Sequence, residues 1–210
     1  MFIINLIIII CIITLFIHLI INGYSKKVNI DVEIEKIVKQ IIEKKKLCVQ
    51  LKMEDGLQAM YDHEKKEITV SKGSTLKHVA EVFHELGHAI VDKDSKVQKF
   101  SVWQNILYYL CKYSFPLAVV LYIMQIKLWM DYLMIPIFIL LALSLFFFTY
   151  CVIDEIKASK IGYELIKQNI IKDPKILRKV RIYLYNGFNS YLMLLIVSII
   201  LLVAEIIYVL

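Results

Sequence analysis

Apolar runs long enough to cross a bilayer constrain this chain more than any other feature. Residues 2–22 contain no acidic or basic side chain apart from His18, and further apolar runs cover 113–126, 132–153 and 191–210. About 20 apolar residues in helical form are enough to span a hydrocarbon core. Composition agrees: hydrophobic residues make up 59% of the 210, against about 45–50% in soluble domains. That balance excludes a disordered chain, a collagen-like fibre and an ordinary soluble enzyme. The charged residues, 21% of the chain, are clustered, so part of the molecule lies in water.

Four membrane-spanning helices are expected, at 2–22, 106–126, 132–153 and 190–210. The second is the least clean, because Lys112 and Pro116 fall within it. It reads as a short crossing with an interfacial lead-in, Lys112 snorkelling to the surface. Trp103, Tyr108, Tyr109 and Trp129 suit the interfaces. Segment 2–22 has no positive leading region and no small-residue cleavage pattern, so it reads as a retained anchor rather than a signal peptide. Glu205, near the end of the fourth span, is expected to reach water.

Orientation follows the basic residues. Segment 23–101 holds 15 Lys and segment 154–187 holds eight Lys and Arg, whereas the connection near 127–131 is short and nearly uncharged. Basic segments stay in the cytoplasm, so both polar segments are expected there, on the same side of an integral, multi-pass cell-membrane protein. The net charge of +6 is assigned to contact with anionic membrane lipids and to topology control; nucleic acid is not expected as a partner. The four Cys (11, 48, 111 and 151) form no C-x-x-C and are assigned no role.

Within 23–101 the pattern reads helix, short antiparallel sheet, helix. Residues 28–47 repeat apolar side chains at helical spacing. Val49, Leu51 and Met53 alternate with polar residues up to an Asp55-Gly56 turn, and two more short strands follow at 57–61 and 67–71. Lys72-Gly73-Ser74 breaks the pattern, and Ser74 or Thr75 is placed to cap a helix over 75–92.

That helix contains His84-Glu85-Leu86-Gly87-His88. Residues four apart share a helix face, so two imidazoles one turn apart can bind one Zn²⁺. Glu85, next to the first His, is suited to take a proton from a zinc-activated water. Gly87 costs about 1 kcal/mol against Ala in a helix, which points to a close neighbour at that position. A structural zinc site closes with four protein ligands, often Cys, and the polar segments offer only Cys48. A catalytic site needs a third ligand. The position ten residues after His84 is Asp94, not His; His78 faces away on the same helix; His63 sits in a turn. The acidic pair Asp154-Glu155, at the start of the second polar segment, is the remaining source.

His84-Glu85-Leu86-Gly87-His88-Ala89-Ile90 together with Glu155-Ile156-Lys157-Ala158-Ser159 resembles the gluzincin arrangement of membrane zinc peptidases. The nearest likeness is to the YugP-like zinc-dependent membrane metallopeptidase family. Its Tyr-Asp turn, short strand ending in Ser, H-E-x-G-H-A-I helix and later E-x-x-A-S are similar to Tyr61-Asp62, 68–71, 84–90 and 155–159. Phe83 before the first His and Lys160-Ile161-Gly162 after Ser159 depart from the pattern. The resemblance implies one zinc per chain, held by His84, His88 and Glu155, with Glu85 as the base. It implies an α-helical membrane protein with about four transmembrane helices and a small α+β, zincin-like cytoplasmic domain. The expected activity is peptide-bond hydrolysis on a peptide or membrane-protein substrate at the cytoplasmic membrane surface, with Glu67–Ser71 as the sheet edge that receives it and Tyr163 or His63 as the oxyanion partner. A non-catalytic zinc-binding scaffold or sensor is the rival.

Overall fold

The computed structural model describes residues 9, 12–14, 16–21, 28–30, 32–54, 59–70, 75–94 and 102–209, with side chains left out at 94, 102–108 and 208–209. The chain divides into two compact units: residues 1–14, 97–152 and 189–210 form an apolar one, and 15–96 with 153–188 a polar one.

The apolar unit holds α3 (Val102–Leu128), the first part of α4 (Met134–Asn169) and α6 (Asn189–Val209). Three helices among the described residues are long and apolar enough to cross a membrane: Tyr109–Leu128, Asp131–Asn169 and Asn189–Ile207. They correspond to the expected second, third and fourth spans. The expected first span, 2–22, lies mostly outside the described residues, and its described part contributes a shorter apolar stretch, Ile12–Ile21. Ala118, Ile137, Leu141, Val197 and Leu201 pack the unit's centre. Ser144 and Ser198 donate their hydroxyls back to Leu141 O (2.7 Å) and Leu194 O (2.8 Å) and lie 3.4 Å apart. Each polar atom is thus satisfied within its own helix while small side chains let the helices approach. Glu205 does not reach water as expected: it is 2% exposed and faces the interior of this unit, as does Gln125.

The polar unit begins with Asn29 paired to Thr75 and the Val28 carbonyl accepting from Leu76 N. That pairing holds 28–30 extended, so the first helix, α1 (Ile34–Lys45), starts later than its apolar periodicity predicts. Ile34, Val38 and Ile41 are its buried stripe, and Lys46 closes it in the left-handed conformation.

The strands are β1 (Gln50–Met53), β2 (Met60–Asp62) and β3 (Glu67–Val70), in the order β1-β3-β2. β2 and β3 are antiparallel, but β1 runs parallel to β3, pairing Gln50 with Glu67 and Met53 with Val70. The sheet is mixed, not antiparallel throughout. The β2–β3 turn is fixed by Asp62, whose Oδ1 accepts from Glu64 N and Lys65 N at 2.9 and 3.0 Å, a side chain standing in for backbone. β3 is the central strand, with Ile68, Thr69 and Val70 all buried. It therefore presents no edge, and the expectation that substrate adds to Glu67–Ser71 is corrected: the free edges belong to β1 and β2. The turns expected at Asp55-Gly56 and Lys72-Gly73-Ser74 lie outside the described residues.

The motif helix, α2 (Leu76–Asp94), is capped by Thr75, whose hydroxyl accepts from His78 N at 3.3 Å. Leu76, Val79, Ala80, Phe83 and Leu86 are its buried face. α4 is one uninterrupted helix of 36 residues, so Asp154 and Glu155 do not open a new element but continue the helix of the apolar run. α5 (Pro174–Asn186) follows, capped by Asp173 with Pro174 in its first turn.

Two glycines set the separation of α2 and α4. A Cβ on Gly87 would lie 2.3 Å from Ala158 O, and one on Gly162 would lie 2.7 Å from Phe83 O. Elsewhere in a helix, Gly→Ala gains about 1 kcal/mol. Here Gly87→Ala and Gly162→Ala are expected to lose about 1–3 kcal/mol by overpacking backbone that cannot yield. Thermal unfolding of the purified chain checks this: a lower Tm for each variant is expected, and an unchanged or higher Tm would contradict the contact.

Candidate metal centre

α2 turns His84 and His88 onto one face, with ring centroids 4.7 Å apart and the rings nearly perpendicular. Their Nε2 atoms approach to 3.1 Å. From α4, Glu155 places Oε2 2.9 Å from His84 Nε2 and Oε1 3.7 Å from His88 Nε2. Among the described residues these three side chains form a group able to hold one metal ion. Zinc bonds of about 2.0–2.1 Å in tetrahedral array put neighbouring donors about 3.3 Å apart. The three separations scatter about that value. Two imidazole nitrogens and one carboxylate suit zinc and leave a fourth position for water or substrate.

The second nitrogen of His84 is also held. Ser159, fully buried one turn beyond Glu155, donates its single hydroxyl proton to Leu184 O at 3.1 Å. A carbonyl can only accept, so the contact of Ser159 Oγ with His84 Nδ1 at 3.2 Å takes its proton from the ring. His84 is thereby fixed as the Nδ1–H tautomer, and its Nε2 lone pair faces the metal position. His88 Nδ1 lies 3.1 Å from Asp154 Oδ2, off the line of the ring N–H. Asp154 is therefore a neighbour of the ligand shell rather than part of it.

Glu85 stands beside this group. Its Oε2 accepts from Tyr61 N, on strand β2, at 2.9 Å. Burial pushes its carboxyl up from the ordinary range, against the lowering effects of His84, His88 and the Tyr61 N–H. Burial alone would lower His88, but the Asp154 and Glu155 carboxylates outweigh it and hold the imidazole at about 10 without metal. Burial likewise opposes ionisation of Glu155, and the two histidines outweigh it, holding it at about 2. Tyr61 is tied in turn through its hydroxyl to Asp92 (2.6 Å), which also receives Lys66.

Of the two expected oxyanion partners, Tyr163 packs against the hydrophobic core. The His63 ring, 58% exposed in its side chain, lies 6.2 Å from that of His88 with Asp92 behind it at 3.8 Å. Sequence reasoning had Asp154 only as half of the acidic pair that could supply the third ligand, and it gave no role to Ser159, Gly162 or the Tyr61 N–H. Ser159 had a signal, being one helical turn from Glu155, but its carbonyl partner on α5 had none.

The whole chain, residues 1–210, matches the protein family described as "Putative neutral zinc metallopeptidase". None of the curated proteins and none of the solved structures matches it.

Two outcomes follow from this geometry. Ser159→Ala frees the His84 ring to rotate and change tautomer, and zinc affinity is expected to fall about 10- to 100-fold, measured by competition with a chromogenic chelator. An unchanged affinity would remove Ser159 from the site. Zinc must also displace the proton that His88 carries below about pH 10. At pH 7 that imidazole should release about one proton on zinc binding, where an ordinary one would release about a quarter, and affinity should rise with pH as the competing proton leaves. Titration calorimetry in buffers of different ionisation enthalpy checks this, and Asp154→Asn should lower the release.

Proposed function

The chain belongs to that family of zinc metallopeptidases, and from that premise we propose that it is a membrane-embedded zinc peptidase acting at the cytoplasmic membrane surface. The observation that carries the reading is the convergence of His84, His88 and Glu155 within metal-ligand distance, with a further carboxylate, Glu85, held beside them but outside the set.

In this reading a bound zinc ion supplies Lewis acidity for a scissile carbonyl and an attacking water. The protein's own part lies in Glu85. Tyr61 N anchors one carboxylate oxygen, which leaves the other to take a proton from the water and deliver it to the leaving amine. Burial raises its affinity for that proton, which suits a group that must both accept and return it. Ser159 holds the outer ring nitrogen of His84 and so keeps its Nε2 aimed inward, and the Asp154 carboxylate lies 3.1 Å from the outer nitrogen of His88. His63, beside His88 on the β2–β3 turn, is the better placed of the two oxyanion candidates. The three apolar helices and the lysine-rich polar segments support a multi-pass protein with the site on the cytoplasmic side.

Glu85→Gln is the decisive variant. It should retain about one zinc per chain and lose peptide hydrolysis by about 100- to 10,000-fold, whereas Glu155→Ala should lose the zinc. A Glu85→Gln chain as active as the parent would exclude Glu85 as the base. A parent that binds zinc but cleaves no peptide library, in detergent or in bilayers, would leave a zinc-binding scaffold.

A further inference from the structure

α5 has two faces of opposite character. Leu177, Val180 and Leu184 are buried in the core of the polar unit, and they fix which way the helix is turned. The outward face carries Lys175, Arg178, Arg181 and Ile182, all exposed, with the half-buried Lys179 at its margin. Residues 170–188 hold five cations, counting Lys172, and a single acid, Asp173. That acid is engaged, since its carboxylate accepts from Lys175 N at 2.8 Å as the helix cap. Among the described residues no acidic side chain pairs with Lys175 or Arg178. The basic face is not purely polar. Ile182 is 48% exposed in its midst, the Arg181 guanidinium lies 5.8 Å over the Tyr185 ring, and Tyr185 meets Phe188 edge to face.

We propose that this outward face of α5 docks onto the phosphodiester headgroups of an anionic lipid bilayer. Three observations select a bilayer as the occupant. The charge is complementary to anionic headgroups, and arginine's planar fork matches phosphate oxygens. An exposed isoleucine flanked by arginine, lysine and tyrosine is the composition of a helix lying at an interface, with its apolar atoms toward the acyl chains and its cations among the headgroups. The covalent tether is short as well. Only Gly187 and Phe188 separate α5 from α6, whose residues Asn189–Ile207 are long and apolar enough to cross a membrane. Two extended residues reach about 7 Å, which is within the Debye length of about 8–10 Å over which a charged leaflet acts. Docking does not depend on peptide hydrolysis, although the same helix carries the Leu184 carbonyl that fixes Ser159.

The test uses the full chain in nanodiscs of phosphatidylcholine alone or of phosphatidylcholine with phosphatidylglycerol. Acetylation of Lys175 is followed by mass spectrometry against Lys36 and Lys39, two exposed lysines of α1. One cation at an anionic surface gains roughly a factor of five in binding, so phosphatidylglycerol should slow Lys175 about five-fold or more relative to the α1 pair. High salt should reverse this, and an Arg178→Gln/Arg181→Gln chain should lose most of the protection. Equal Lys175 rates in the two lipids would overturn the proposal. So would equal slowing of Lys36, Lys39 and Lys175, which marks a general surface-charge effect. Protection of Lys175 by a short RNA and not by phosphatidylglycerol would assign the face to nucleic acid instead. The parent chain alone decides between these outcomes, so a double variant that fails to fold leaves the test intact.

Discussion

The closest approach of two helices governs this structure. Gly87 lies against the Ala158 backbone and Gly162 against that of Phe83, with no side chain between the helices at either point. The register is readable from the contacts. Phe83 meets Gly162, His84 meets Ser159, Gly87 meets Ala158, and His88 meets Asp154 and Glu155. Each step forward on α2 is matched by a step back on α4, as in an antiparallel pair. Small residues spaced by four let helix backbones come this close, and Ala158 and Gly162 are such a pair. A site that must hold three donors about 3.3 Å apart cannot tolerate a helix separation that drifts by an ångström. The glycines thus do for the metal centre what no ligand does for itself: they fix the distance between the element carrying two donors and the element carrying the third.

The same proximity concentrates charge. Glu85, Asp154 and Glu155 lie around two imidazoles, each of these five side chains at most partly exposed. Carboxylates taken out of water are costly unless paired. In the metal-free chain part of that cost is met by the proton His88 retains up to about pH 10, and Glu155 stays ionised down to about 2 because both histidines face it. A divalent cation entering the group replaces that proton and serves the same electrostatic purpose with better geometry. Metal affinity, proton release and the packing of α2 on α4 are therefore one linked equilibrium. A substitution at Gly162, which offers no donor but packs against the backbone of Phe83 and His84, bears on it as directly as one at Ser159.

How much of this was legible in the sequence depends on how local the cause is. The pairing of His84 with His88 follows from helical periodicity alone, and the Thr75 cap and Asp62 turn follow from side chains that bond backbone a few residues away. The start of α1 was misplaced because Asn29 and Val28 pair with Thr75 and Leu76, more than forty residues on, and apolar spacing carries no trace of such a partner. The parallel β1–β3 pairing was hidden likewise: alternation shows that a strand exists, not which neighbour it chooses. The shift from apolar to charged residues at 153–154 reads as an element boundary, yet only the side-chain character changes there and the helix continues. Gly162 looked like a departure from a motif and is half of the contact that assembles the site.

That uninterrupted helix has a further consequence. α4 runs from Met134 to Asn169 without a break, so Glu155 lies in the interior of a continuous helix and not at its end. Helices of this kind bend gently and kink only at identifiable causes. The only proline in α4 is Pro136, in its first turn, and its only glycine is Gly162, which is spent on the contact with Phe83. Glu155 therefore has no local hinge. Whatever displaces Glu155 relative to His84 and His88 must break the glycine contacts that hold its stretch of α4 to α2.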